Sequence, residues 1–195
     1  MRTLALVAAL LAPLAAMAAP PAYFTAPKGA KVRAAPEAEA KPVGALPPGA
    51  GPIEAVEEDG WLRLTWGEGD GWVRRDALSP TEVPRLGSTA LPLGLVCAGT
   101  EPFWSITLGD GARFATPEGG RSYAIEGAAT AEGRLSFPVA VRLAAEDGGG
   151  TAVIRPLTCN DGMSDRTWPW TVDLLLRQGT EWSLLTGCCR LPRPE

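Results

Sequence analysis

The apolar residues of this chain come in short alternating runs, and turns rich in glycine and proline cut the runs apart. In WTVDLLL, Trp170, Val172, Leu174 and Leu176 alternate with Thr171 and Asp173. That is the period of a strand with one face on a core. WLRLTW repeats the pattern, with Leu62, Leu64 and Trp66 on one face and Arg63 and Thr65 on the other. The segments GEGDG, LGDGA, PEGG and EDGGG supply residues that accept the positive φ of tight turns. A helix would need apolar residues three and four positions apart. The expected fold is therefore all-β: a small antiparallel barrel of about five strands, followed by an antiparallel β-barrel or sandwich of about eight strands.

The chain opens MRTLALVAALLAPLAAMAAPPA. One positive charge at Arg2, an apolar run from Leu4 to Leu14 and a small-residue A-x-A site form the pattern of a secretory signal peptide over residues 1–18, with cleavage expected after Ala18 or Ala19. The run falls short of the ~20 apolar residues that span a bilayer, and no later segment is a transmembrane candidate. No cysteine lies near the cleavage site to accept a lipid. The expectation is a soluble protein, periplasmic or secreted. Formal net charge is −4, or about −5 once Arg2 is removed, and this acidic balance argues against nucleic-acid binding.

Four cysteines in an exported chain are expected to pair. The chain has no histidine, which excludes Ser-His-Asp and Cys-His catalysis and histidine-containing zinc sites. Lysine occurs only at Lys28, Lys31 and Lys41, so the second half also lacks a lysine base. Any catalysis there has to use carboxylates, cysteines or a bound metal. No metal site and no cofactor is expected.

In residues 22–80, short apolar segments alternate with turns. The spacing of Val32, Arg33 and Pro36, then Val43, Gly44, Leu46 and Gly49, then Asp59, Gly60, Trp61 and Leu64, then Gly71, Trp72, Val73 and Leu78 resembles that of a bacterial SH3 domain (SH3b). The resemblance implies a module that binds cell-wall peptide or another envelope ligand and carries no catalysis of its own. Trp61, Trp66 and Trp72 admit two roles: two of them fill a core too small to bury much else, or Trp61 and Trp72 line an exposed ligand groove, where aromatic faces hold peptide or glycan. Residues 81–92 mix Pro, Ser, Thr and Gly without periodicity and read as an exposed, semi-stiff linker.

The domain at 93–195 holds all four cysteines. On a strand, neighbours Cys188 and Cys189 face opposite ways, so each reaches a different partner. Of three connectivities, the strained bond between neighbours is set aside, leaving one bond from Cys159 and one from Cys97. Cys159 to Cys188 is the first choice, and the reverse assignment stays open.

TCNDGMSD, Thr158 to Asp165, is the most chemically suggestive stretch. It fails as an EF-hand, because the twelfth position from Asp161 is Val172 rather than glutamate. As a nucleophile loop, Ser164 lacks the second glycine of G-x-S-x-G and any nearby base. As a carboxylate site, Asp161 or Asp165 would have to meet Glu101 across the fold, as in glycoside hydrolysis. The remaining possibility is a stapled turn, with Asn160 or Asp161 bonding its own backbone and Gly162 at positive φ. GTEPFWSITL, CNDGMSDRTWPWTVDLLL and the closing GCC are together similar to a family of uncharacterised bacterial envelope proteins sharing E-P-x-W, C-x-D-G-M-S and Gly-Cys motifs. That family has no established activity.

Three functions are consistent with these features: an envelope-binding protein that recognises a peptide or peptidoglycan, a carboxylate-dependent wall hydrolase, and an inhibitor or chaperone-like binder of an exported protein.

Overall fold

Which side chains turn inward is set by the alternation, and in the first half it sorts leucines from tryptophans. The computed structural model describes residues 20–192, so the signal peptide read at 1–18 lies outside the described residues. Seven strands form one antiparallel sheet: β1 (Ala22–Ala26), β2 (Ala30–Arg33), β3 (Pro42–Leu46), β4 (Ala50–Glu58), β5 (Trp61–Trp66), β6 (Gly69–Arg74) and β7 (Ser79–Pro80), in the order β3-β2-β6-β5-β4-β1-β7. Six of the strands, and Leu78 after them, send side chains into one core. Its larger members are Phe24, Val32, Leu46, Ile53, Leu62, Leu64 and Val73.

The tryptophans do not fill that core. Trp66 packs at its edge, over Gly44 and Gly71, where a Cβ would overlap the indole. Trp61 is in phase with Arg63, and Trp72 lies directly opposite Arg63 in the ladder, so both turn to the outer face. Phe24 and the aliphatic residues are enough to fill the inside.

The second half is a closed barrel of eight strands: β8 (Leu95–Thr100), β9 (Phe103–Leu108), β10 (Ala112–Thr116), β11 (Gly119–Thr130), β12 (Val139–Ala145), β13 (Gly148–Arg155), β14 (Trp170–Gln178) and β15 (Glu181–Arg190). A barrel of about eight strands is just wide enough for side chains to fill it. Trp104, Ile106, Leu108, Val141, Leu143, Ile154, Trp170, Val172 and Leu174 do so here. Of EDGGG only Glu146 and Asp147 make the turn. Gly148, Gly149 and Gly150 run into β13, where a Cβ on each would press on a carbonyl oxygen of the neighbouring strands.

Both disulfides start from the end of β15. Cys189 points into the barrel and bonds Cys97, its cross-strand partner on β8. Cys188 points outward and bonds Cys159 in the β13–β14 connection. The bridges close loops of 92 and 29 residues. Chain entropy alone makes them worth about 4.5 and 3.5 kcal/mol.

Residues 81–92 are not an exposed linker. Leu86 and Leu91 belong to the barrel core, and backbone bonds Leu86 N–H to Leu91 O (2.8 Å) and Leu93 N–H to Pro84 O (2.8 Å) fold the segment back on itself. The buried Thr89 hydroxyl donates to Leu86 O (2.8 Å) and accepts from Leu91 N–H (3.2 Å). Polar atoms are thus satisfied locally, and two leucines join the barrel core.

The two halves meet around Glu54 on β4. Its carboxylate accepts the Trp170 indole N–H at 2.7 Å and the Leu191 backbone N–H at 2.7 Å. Part of the residue stays at the surface, but its carboxyl end lies deep in the seam. Burial pushes that carboxyl up to about 7, against the pull of both donors and of Arg190. The buried Tyr23 hydroxyl lies beside it, close enough for burial first and then the Glu54 charge to raise its pKa, but without a hydrogen bond of good geometry. A second contact joins residues 165–167 to the two-residue β5–β6 turn. Asp165 N–H donates to Glu68 O (3.1 Å), Arg166 to Gly67 O and the Glu68 carboxylate (both 2.7 Å), and Thr167 N–H to Asp70 (2.9 Å).

Because the fold favours protonated Glu54, this group's contribution is full below its ordinary pKa of 4.5 and is lost as pH rises through about 7. Denaturant unfolding should show a decline of about 2 kcal/mol from pH 5 to pH 8 attributable to Glu54. In Glu54→Gln that decline should flatten; an unchanged pH profile would rule the assignment out.

Candidate functional site

The connection between β13 and β14 crosses the outside of the barrel wall, and its shape follows from a few short bonds. Cys159 and Trp168 bridge each other through both backbone bonds, at 2.8 and 2.9 Å, which closes the loop at its neck. The Cys159–Cys188 disulfide pins the neck to β15. Inside, Asn160 accepts Gly162 N–H at 2.7 Å, and Gly162 takes φ +74°. One oxygen of Asp161 accepts Met163 N–H (3.0 Å) and Ser164 N–H (2.8 Å). The other accepts the Ser164 hydroxyl (2.9 Å) and the Trp168 indole N–H (3.0 Å). Thr100, at the end of β8, donates to Asp161 O at 3.0 Å and ties the loop to the barrel.

Beside this loop lies an open groove of about 480 Å³, lined by Thr100, Glu101, Asn160, Asp161, Met163, Thr171, Asp173 and Thr186, among others. Glu101 and Asp161 therefore do share one wall-side groove. Asp165 does not: it is turned toward Gly69 of the first half, where its backbone joins the seam. The sequence offers two equivalent acids in this loop, and the fold gives them unrelated positions.

The electrostatics decide what Asp161 can do. Burial raises its pKa, but the bonds from Ser164, Met163 and Trp168 outweigh burial and hold the carboxyl below the usual range. A general acid needs the opposite shift. As a nucleophile or base it would have to give up bonds that already occupy both oxygens. Asp173, also in the groove, is tied to Arg155 at 2.6 Å. Glu101 stands exposed in the β8–β9 turn. Glycoside hydrolysis needs two carboxyl groups with opposite tuning, and this groove pairs one exposed acid with one that is structurally committed.

Nothing in the sequence singles out Trp168, yet its indole caps Asp161 from one side while Arg190 lies over its ring at 5.6 Å. The available signal was its position seven residues after Asp161, which becomes a contact only once the loop has closed.

The first half carries a separate face. Arg63, whose side chain is only 11% exposed, donates to Glu58 at 2.8 Å and lies 3.6 Å from Asp70. Trp72 lies directly opposite Arg63, and Trp61 is its diagonal neighbour across the β5–β6 ladder. Two half-buried indoles thus stand on a rigid sheet around a fixed guanidinium. The second oxygen of Asp70 is the one that accepts Thr167 N–H. The Cys97–Cys189 and Cys159–Cys188 bridges leave no free cysteine among the described residues.

In Asp161→Asn the amide nitrogen would face donors, so the loop should loosen by about 1–3 kcal/mol. Limited proteolysis within residues 160–167 and Trp168 fluorescence would report it, and wild-type protection would refute it. The Asp161 contribution should be present above the ordinary carboxyl range and fade as pH falls through its lowered value. Glu101→Gln should leave stability unchanged. Comparison of the chain with protein-family models, with curated proteins and with solved structures found no match.

Proposed function

We propose that the protein is an exported, non-catalytic binder of a cell-envelope ligand, a peptide or peptidoglycan, recognised by the Trp61, Arg63 and Trp72 face of the first domain. The observation that carries this reading is the placement of both indoles on the outer face of a sheet whose core is complete without them. Aromatic faces bind sugar rings and peptide planes by stacking, and a pre-organised pair loses little side-chain entropy on binding. The Arg63 guanidinium, locked by Glu58 and Asp70, keeps the surface between the rings rigid.

The resemblance of residues 22–80 to bacterial SH3 domains implies the same role. The leader pattern and the paired cysteines suit an oxidising compartment such as the periplasm. A wall hydrolase is disfavoured, because Asp161 is held ionised and fully bonded.

Purified peptidoglycan sacculi should sediment the protein. Trp61→Ala and Trp72→Ala should each reduce the bound fraction about tenfold, a loss of roughly 1.4 kcal/mol. Circular dichroism should stay unchanged, since neither ring belongs to the core. Undiminished sedimentation of both variants would refute the assignment of the face. Clearing of a peptidoglycan zymogram by the purified protein would overturn the non-catalytic reading.

A further inference from the structure

β15 is longer than the strand that covers its far side. β14 pairs with it from Glu181 to Cys189, whereas the ladder with β8 spans only Cys188 to Arg190. Glu181–Leu185 therefore has β14 as its one partner, while Thr186 and Gly187 already lie against Gly99 and Ala98 of β8, and the barrel wall is notched beyond that contact. In an antiparallel ladder every second residue turns its N–H and C=O away from the partner. Counted from the two-residue turn at Gly179 and Thr180, those residues are Trp182, Leu184 and Thr186, the last of which already faces Gly99 of β8.

Natural sheets blunt free edges with lysine, proline or bulges. EWSLLTG has none of these. Instead it exposes Trp182 (62%) and Leu184 (65%) on the outer face, and Leu175 (39%) lies directly opposite Leu184 on β14. At one end of the edge the barrel mouth opens into a cavity of about 730 Å³, lined by Phe114, Tyr123 and Leu176 and rimmed by Glu118 and Glu181. The Arg121 guanidinium in this cavity is paired with Asp147. Among the described residues no cation pairs with Glu118 or Glu181.

We propose that the Glu181–Leu185 edge of β15 is a docking site for an extended segment of another protein. The segment adds a strand to the barrel wall, seats an apolar side chain in the mouth cavity, and brings a lysine or arginine to Glu118 and Glu181. Strand addition supplies sequence-independent backbone bonds, while the cavity and the carboxylates supply selectivity. A second copy of this chain is the poorer occupant, because it would bring the same unpaired carboxylates on a molecule of net charge −4. The site is on the second domain and does not depend on the Trp61 and Trp72 face.

The test is selection of a displayed library of random heptapeptides on the immobilised full chain, followed by titration of the enriched synthetic peptides. Enriched sequences should alternate apolar residues and carry at least one lysine or arginine. N-methylation of alternate peptide amides, which leaves the protein untouched, should weaken binding about tenfold or more. Glu118→Gln with Glu181→Gln should weaken the cationic peptides by a similar factor and leave peptidoglycan sedimentation unchanged. Leu184→Pro, which removes an outward N–H without breaking the β14 ladder, should abolish binding. Failure to enrich any peptide would overturn the proposal, as would binding indifferent to N-methylation. Self-association of the chain through β15 in sedimentation velocity, lost in Leu184→Pro, would overturn it in favour of a second copy.

Discussion

Two adjacent cysteines at the end of β15 hold the molecule together in sequence. Cys189 faces inward and ties β15 to β8, the ladder that closes the barrel with only three paired positions. Cys188 faces outward and fixes the β13–β14 connection against the wall. Once that loop is fixed, Asp161 gathers its donors, and residues 165–167 reach the β5–β6 turn of the first half. The orientation of one half on the other thus follows from the two-residue period of a strand. If the pair were separated by one residue, both thiols would face the same side and one of these links would be lost.

The same logic explains how a loop rich in acids, amide and hydroxyl satisfies its own polar atoms. An exposed carboxylate loses a water shell when it is partly buried, and it remains ionised only if protein donors replace that shell. Asp161 has four such donors, so its charge is spent on shape. Glu54 is the contrasting case. It is buried with two strong donors and an arginine nearby, and burial still prevails, which leaves it close to half-protonated at neutral pH.

Much of the architecture was legible in the sequence, because alternation and glycine turns report directly on which face is covered. The all-β class, the count of about eight strands in the second half, one bridge from each of Cys97 and Cys159, and the Asp161 turn depend on residues close together in the chain or on strand geometry. What was not legible depends on long-range packing. Leu86 and Leu91 lack any period, so nothing local marks them as core. Asp165 is four residues from Asp161 and chemically identical to it, yet only the docked first half determines that it leaves the groove. Residue size leaves open whether the tryptophans fill the core or line a groove, and only register, with Arg63 rather than Leu62, puts Trp61 and Trp72 on the outer face.

The two leucines ahead of β8 also bear on where this chain divides. The hydrophobic interior of the barrel includes residues contributed from upstream of its first strand, so the boundary between the two cores falls before Pro84, not at the start of the barrel ladder. A gene fragment beginning at β8 would encode all eight strands and both disulfides, but it would lack two leucines of the barrel core. The barrel module that recombination can move intact therefore starts with an irregular, proline-flanked turn that no strand pattern reveals.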